Sequence, residues 1–201
     1  MDSAIKFYFD FSSPYGYFAA MKIEALASNY GRRLEWHPIL LGVVFKTTGS
    51  VPLTQIPIKG NYAVHDIART ARFHGIPYQH PSVFPLATQH AARAMLWVRT
   101  TYGDNKAVEF AKAVYHAYFV SGADVSQSDF IVQLATSLGV DGCALEAGMA
   151  GAPVKDQLRA DTALAMEQGV FGSPFMIVDG ESFWGFDRFD QMEELLKNGK
   201  I

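Results

Sequence analysis

Ile5-Lys6-Phe7-Tyr8-Phe9-Asp10-Phe11-Ser12-Ser13-Pro14-Tyr15-Gly16 is the stretch on which the fold turns. Ile5, Phe7, Phe9 and Phe11 alternate with Lys6, Tyr8 and Asp10, and a period of two predicts a β-strand. Ser13-Pro14 then reads as a helix start, with Ser at the N-cap and Pro at the first helical position, where its missing N–H is no loss. Phe18, Met21 and Leu26 continue at helical spacing until Gly31 offers a stop. Leu34 to Leu41 predicts a second strand, with Pro38 placing part of it at an edge or bulge. A strand, a crossover helix and a strand make a βαβ unit, whose two strands run parallel.

Working outward, Thr47 to Pro57 reads as a loop, and helical spacing then takes over. Helices are predicted over Asn61–His74, Gln89–Thr101, Asp104–Val120, Ser126–Leu138 and Pro153–Gln168. Pro77 to Pro85 is a proline-rich loop among them. Ser126 with Asp129 predicts a capping box, and Cys143 is expected to follow a short loop. Strand signals return at Phe175–Val178, and Asp179-Gly180 is a hairpin turn leading into Glu181–Trp184. A last helix is expected from about Arg188 to Lys197, capped by Asp187. The order is βαβ, a helical block, then ββα. Neither end has enough strands to stand alone, so one core must hold both. This is an α/β, thioredoxin-like fold with an inserted all-helical subdomain. The expected division is 1–46 with 170–201 for the thioredoxin-like domain, 47–59 for a connecting loop, and 60–169 for the insert. A small-molecule cleft is expected between the two.

Composition narrows the function. The chain has 201 residues, 49% hydrophobic and 13% aromatic, enough for a substantial core. A formal net charge of −3, with no long run of like charges, argues against nucleic acid or anionic membrane as partners. Nothing approaches the ~18 apolar residues of a membrane span. Met1-Asp2-Ser3-Ala4-Ile5-Lys6 lacks the basic start of a signal peptide, so a cytoplasmic protein is expected. Cys143 is the only cysteine, which excludes an intrachain disulfide and a cysteine-rich metal site. His37, His65, His74, His80, His90 and His116 form no metal motif, and no glycine-rich phosphate loop is present.

Phe9 to Tyr17 resembles the active-site turn of the DsbA-like thioredoxins. More narrowly, it resembles that of the 2-hydroxychromene-2-carboxylate isomerases and the kappa-class glutathione transferases. Further matches are Pro57-Ile58-Lys59-Gly60-Asn61-Tyr62, Asp66 and Arg69 through Gly75-Ile76-Pro77, Phe84-Pro85, Val170-Phe171-Gly172-Ser173-Pro174-Phe175 and Phe183-Trp184-Gly185-Phe186-Asp187-Arg188. These run in order over nearly the whole chain. The resemblance implies glutathione as cofactor, a homodimer, and a small aromatic carboxylate or other electrophilic small molecule as substrate. For the isomerases it implies interconversion of 2-hydroxychromene-2-carboxylate and trans-o-hydroxybenzylidenepyruvate in aromatic degradation.

The residues can be set against that chemistry. Ser13-Pro14-Tyr15-Gly16 stands where the DsbA type has Cys-x-x-Cys, so ordinary disulfide exchange has no nucleophile here. A hydroxyl at a helix N-terminus can donate to a bound thiolate and lower that thiol's pKa. Ser13 is thus the catalytic candidate; the plainer reading, an N-cap worth ~1 kcal/mol, is compatible with it. Ser173-Pro174 precedes the hairpin where thioredoxin folds hold a cis-proline, which would leave backbone free to pair with a peptide-like ligand. By the resemblance, Asp187 grips the γ-glutamyl ammonium, and Lys59 meets the glycine carboxylate or an acidic substrate. Kappa-class enzymes commonly have Ser where this chain has Phe186, so any contact there comes from backbone. They have Asn where this chain has Ser50, a shorter group. Tyr15 and Trp184, with Phe186, are candidate walls for an aromatic substrate, although aromatics at such spacing also serve a core. Three functions remain open on these residues: the isomerase, a kappa-class-like transferase sharing its thiolate site, and a non-catalytic glutathione- or partner-binding scaffold. A redox role for Cys143 is the remotest.

Overall fold

The computed structural model describes residues 4–201; Met1 to Ser3, part of the stretch read for a targeting signal, lie outside them. Four strands form one sheet in the order β2-β1-β3-β4 among the described residues. They are β1 (Ile5–Phe9), β2 (Leu34–Pro38), β3 (Phe175–Val178) and β4 (Glu181–Trp184). β1 runs parallel to β2, with Phe7 opposite Trp36. β3 runs antiparallel to both β1 and β4, with Met176 opposite Phe7 and Phe183. The expected thioredoxin order is met, and Pro38 lies on an edge strand, where its missing N–H breaks no ladder.

Alternation along the strands sorts the core into two faces. Ile5, Phe7 and Phe9 are fully buried and share a cluster with Trp36, Met176 and Phe183. Each such aromatic contributes about 1.5–3 kcal/mol of burial. This face is covered by α1 (Pro14–Asn29) through Phe18 and Ile23, and by α9 (Phe189–Asn198) through Met192 and Leu195. Val114, Tyr115 and Phe119 of α5 (Asp104–Phe119) extend the same cluster into the helical segment. On the other face Tyr8 and Phe175 meet Val44 and Ala165, from α2 (Leu41–Thr48) and α8 (Ala152–Glu167).

Between β2 and β3 lie also α3 (Lys59–His74), α4 (Gln89–Tyr102), α6 (Ser128–Ser137) and α7 (Gly142–Ala150). Three expectations need correction. The second strand stops at Pro38, and Leu41 opens a helix where a strand end and then a loop are expected. The capping box does not form: α6 starts at Ser128, and the Ser126 hydroxyl donates to Asp124 at 2.6 Å. Cys143 follows a short loop as expected and is the second residue of α7, whose N-cap Asp141 accepts from the Ala144 amide at 3.0 Å. Asp187 is not the cap of the last helix. It sits within a 3-10 turn, Phe186–Arg188, that precedes α9.

Candidate active site

β1 delivers the chain to a turn that begins at Asp10. The Asp10 carbonyl accepts from the Ser13 amide at 2.9 Å, and α1 follows at once. Ser13 caps α1 as expected, its Oγ accepting from the Gly16 amide at 3.0 Å. The same hydroxyl donates to the Ser173 carbonyl at 2.8 Å, immediately before the cis peptide bond to Pro174. In return the Asp10 amide donates to Ser173 Oγ at 3.0 Å. The turn and the cis-proline loop are thereby bonded across 160 residues of sequence. Gly16 is needed for this approach, because a Cβ there would stand 2.8 Å from Ser173 Oγ and 2.9 Å from the Tyr115 hydroxyl.

Around this centre the predicted residues divide. Tyr15 is half-buried, and its hydroxyl donates to Asp66 at 2.5 Å. Burial, then Asp66, push that hydroxyl well above the ordinary phenol range, so it remains a donor. The Asp187 charge adds a little to the same push. Burial works against ionisation of Asp66, yet hydrogen bonds from Tyr15 and Arg69 outweigh it and hold this carboxyl below its usual range. Arg69 in turn donates to the Tyr62 hydroxyl at 2.9 Å.

Trp184 is 54% exposed and meets Phe171 edge to face at 4.9 Å. Its indole lies so close over Gly172 that a Cβ there would collide with it. The pair therefore flanks Ser173 and presents aromatic surface to solvent. Phe186 does not: it is buried against Phe18, His74 and Phe189, so only its backbone can serve a ligand. Asp187 is exposed, with its carboxylate 3.3 Å from Arg188. Lys59 is exposed at the first position of α3, after Ile58, whose φ of +69° is unusual for a β-branched residue. Ser50 is exposed, and its Oγ accepts from Thr48 at 3.0 Å, a contact beyond the end of α2 that does not join it to the Ser13 turn.

Sequence reasoning passed over Asp10, Thr88 and Tyr115. Asp10 is 3% exposed, accepts on both carboxylate oxygens, and takes the Tyr115 hydroxyl on its carbonyl at 3.1 Å. The one local signal was a charged residue interrupting an apolar run. Chemically, the arrangement offers one hydroxyl proton at the positive end of a helix. That proton rests on the Ser173 carbonyl, and a ligand N–H that occupied the carbonyl would leave the hydroxyl free to turn to an anion. Among the described residues no group of three or more His, Cys, Asp or Glu is placed to hold a metal ion, and no helix is long and apolar enough to cross a membrane.

The comparisons bear on the family and the fold. The family model for the DSBA-like thioredoxin domain matches residues 4–197. A 2-hydroxychromene-2-carboxylate isomerase of Sphingobium xenophagum is 30% identical, over 98% of this chain and 99% of its own. Glutathione S-transferase kappa 2 of Caenorhabditis elegans is 29% identical, over 96% and 91%. A solved 2-hydroxychromene-2-carboxylate isomerase superposes with a TM-score of 0.86 at 25% identity, covering 97% of this chain and 95% of that one.

Proposed function

Since this chain belongs to the DsbA-like thioredoxin family, among the 2-hydroxychromene-2-carboxylate isomerases, we propose that it is a glutathione-dependent isomerase of a small aromatic carboxylate. It is an enzyme of the isomerase and glutathione-transferase group. The observation that carries the finer reading is the Ser13 hydroxyl, held at the N-terminus of α1 and bonded to the carbonyl before a cis-proline.

The groups present fit glutathione. There is a hydroxyl for a sulfur, a backbone carbonyl for an amide N–H, an exposed carboxylate at Asp187 for an ammonium, and an exposed ammonium at Lys59 for a carboxylate. When bound, glutathione supplies a thiolate nucleophile for reversible addition to a conjugated substrate, with no net redox change. Ser13 turns its proton from the Ser173 carbonyl to the sulfur, aided by the α1 dipole. Ser173 and Pro174 take the ligand backbone, and Phe186 contributes only its main chain. Ser50 would reach a ligand carboxylate only after leaving Thr48. Trp184 and Tyr15 wall the substrate, and Tyr15 stays protonated beside Asp66. The reading places the enzyme in the cytoplasm, as a homodimer, in aromatic-compound degradation.

The test is calorimetry with glutathione, together with thiolate absorbance against pH, in the wild type and Ser13→Ala. A lost hydrogen bond to a charged group is worth about 1.5–3 kcal/mol, so the bound thiol pKa should rise by about one to two units in the variant. No binding at millimolar glutathione would sink the reading. The second reading is a kappa-class-like transferase, favoured by the worm relative at 29% identity. It differs only in whether the adduct leaves the enzyme. Recovery of unchanged glutathione after many turnovers decides for the isomerase.

A further inference from the structure

Behind the Ser13 turn lies a buried carboxylate that the proposed chemistry does not use. Asp10 Oδ1 accepts from the Ser12 amide at 2.8 Å and from Thr88 Oγ1 at 2.8 Å, while Oδ2 accepts from the Leu41 amide at 2.7 Å. Taking a charge out of water costs several kcal/mol unless donors replace the solvent, and these three do so. Each belongs to a different element. Ser12 is in the turn itself, Leu41 opens α2, and Thr88 is the N-cap of α4. Thr88 makes no side-chain bond to its own helix and gives its hydroxyl to Asp10 instead.

We propose that Asp10 is a positioning residue: its carboxylate locks the Ser13 hydroxyl and the Ser173 carbonyl in register, and Thr88 fastens that lock to α4. The inference rests on the glutathione reading above. Its main chain explains how the lock works. The Asp10 amide holds Ser173 Oγ, and its carbonyl holds the Ser13 amide and the Tyr115 hydroxyl. A shift of Asp10 therefore displaces both ends of the Ser13–Ser173 bond, and misplacements of an ångström are costly at a site that works by orientation. The position needs a carboxylate. The two backbone amides sit on different oxygens and cannot reverse, so an Asn side chain turned either way would aim its NH2 at one of them.

Field and position predict opposite signs, which makes the inference testable. A negative charge near a thiolate disfavours it, so if Asp10 acted through its field, removing the charge would lower the bound thiol pKa. If it acts by position, removal raises it. Thiolate absorbance of bound glutathione is to be titrated in the wild type, Asp10→Asn, Thr88→Val and Thr88→Ser, each with its melting temperature. The expected result is a raised thiol pKa in Asp10→Asn, smaller than in Ser13→Ala. Thr88→Val, which keeps the charge, should show a lesser rise, and Thr88→Ser should match the wild type. An unchanged or lowered pKa in a folded Asp10→Asn overturns the inference. Should that variant fail to fold, the same result in Thr88→Val overturns it. A wild type with no depressed thiol overturns the glutathione reading, and this inference with it; a wild type that shows one, with variants that follow it, overturns the inference alone.

Discussion

Gly16 shows how far the turn has moved from a dithiol site. It stands where the second cysteine of Cys-x-x-Cys would be, and the space of that side chain is taken by the hydroxyls of Ser173 and Tyr115. Gly16→Ala should gain about 0.5–1 kcal/mol of helix propensity, but overpacking a filled site costs about 1–3 kcal/mol, so packing wins. The expected outcome is a net loss of stability in chemical denaturation and weaker glutathione binding. For the same reason Ser13→Cys with Gly16→Cys should not become a disulfide oxidoreductase; appreciable disulfide-reductase activity would show that the pocket yields easily. Tyr15 offers a second check. Its bond to Asp66 is charge-assisted, so Tyr15→Phe should cost about 1.5–3 kcal/mol at neutral pH. Asp66 is held below the usual carboxylate range, so the stability it contributes is complete above its unfolded pKa of ~3.9 and is lost as pH falls through the lower folded value. The gap between wild type and Tyr15→Phe should therefore narrow in strong acid. A constant gap down to the acid transition would deny the linkage.

Legibility at the level of elements followed the range of the signals. β1, α1, the hairpin and the long helices carry their period and their stops locally, and the Ser13 cap was readable from two adjacent residues. α2 was not, because the strand expected over Leu34 to Leu41 takes in its first residue, and the acceptor for its first amide is Asp10, 31 residues away. α7 was missed because Gly142, Ala144, Ala147 and Gly148 dilute its stripe to Leu145 and Met149. Asp187 looked like a cap because nothing local announces the 3-10 turn that separates it from α9. The site divides in the same way. Ser13 and Ser173-Pro174 were legible as motifs, whereas Asp10, Thr88 and Tyr115 matter through partners that only the tertiary fold supplies. The one local cap that sequence reading overlooked is also the easiest to test. Asp141→Ala removes the bond to the Ala144 amide and should cost about 1 kcal/mol, read as a lower melting temperature. It should leave glutathione affinity unchanged, since the change is confined to the start of α7; a parallel loss of affinity would contradict that separation.

At the scale of the whole molecule, the helical segment meets the sheet along β2, against which α4 and α8 both pack. Charges gather at this joint: Glu35 and His37 on β2, Arg99 on α4 and Asp161 on α8. The His37 ring stacks on Tyr8 at 4.8 Å, and Glu35 lies 3.6 Å from its Nε2. Arg99 donates to the Trp36 carbonyl, so the joint is bonded as well as packed. Burial, then the Arg99 charge, push His37 below the ordinary imidazole range, and the pull of Glu35 and Asp161 does not restore it. Burial pushes Asp161 the other way, upward, with His37 and Arg99 opposing. The signs then separate. Below the unfolded His pKa of ~6.5, the unfolded chain takes up a proton before the native one does. His37 therefore favours folding fully above that value, and its contribution is lost as pH falls toward the lower folded pKa, at up to about 1.4 kcal/mol per pH unit. Asp161, raised in the fold, works in the opposite sense, favouring the native state as pH falls through its folded value. Denaturant unfolding of wild type and His37→Gln between pH 7.5 and about 5.5 isolates the first term. The absolute stabilities will differ because the stack on Tyr8 is lost, so the slopes are what count. The wild type should lose stability faster with acidification than the variant; parallel slopes would mean that His37 is as free to protonate at this joint as in the unfolded chain.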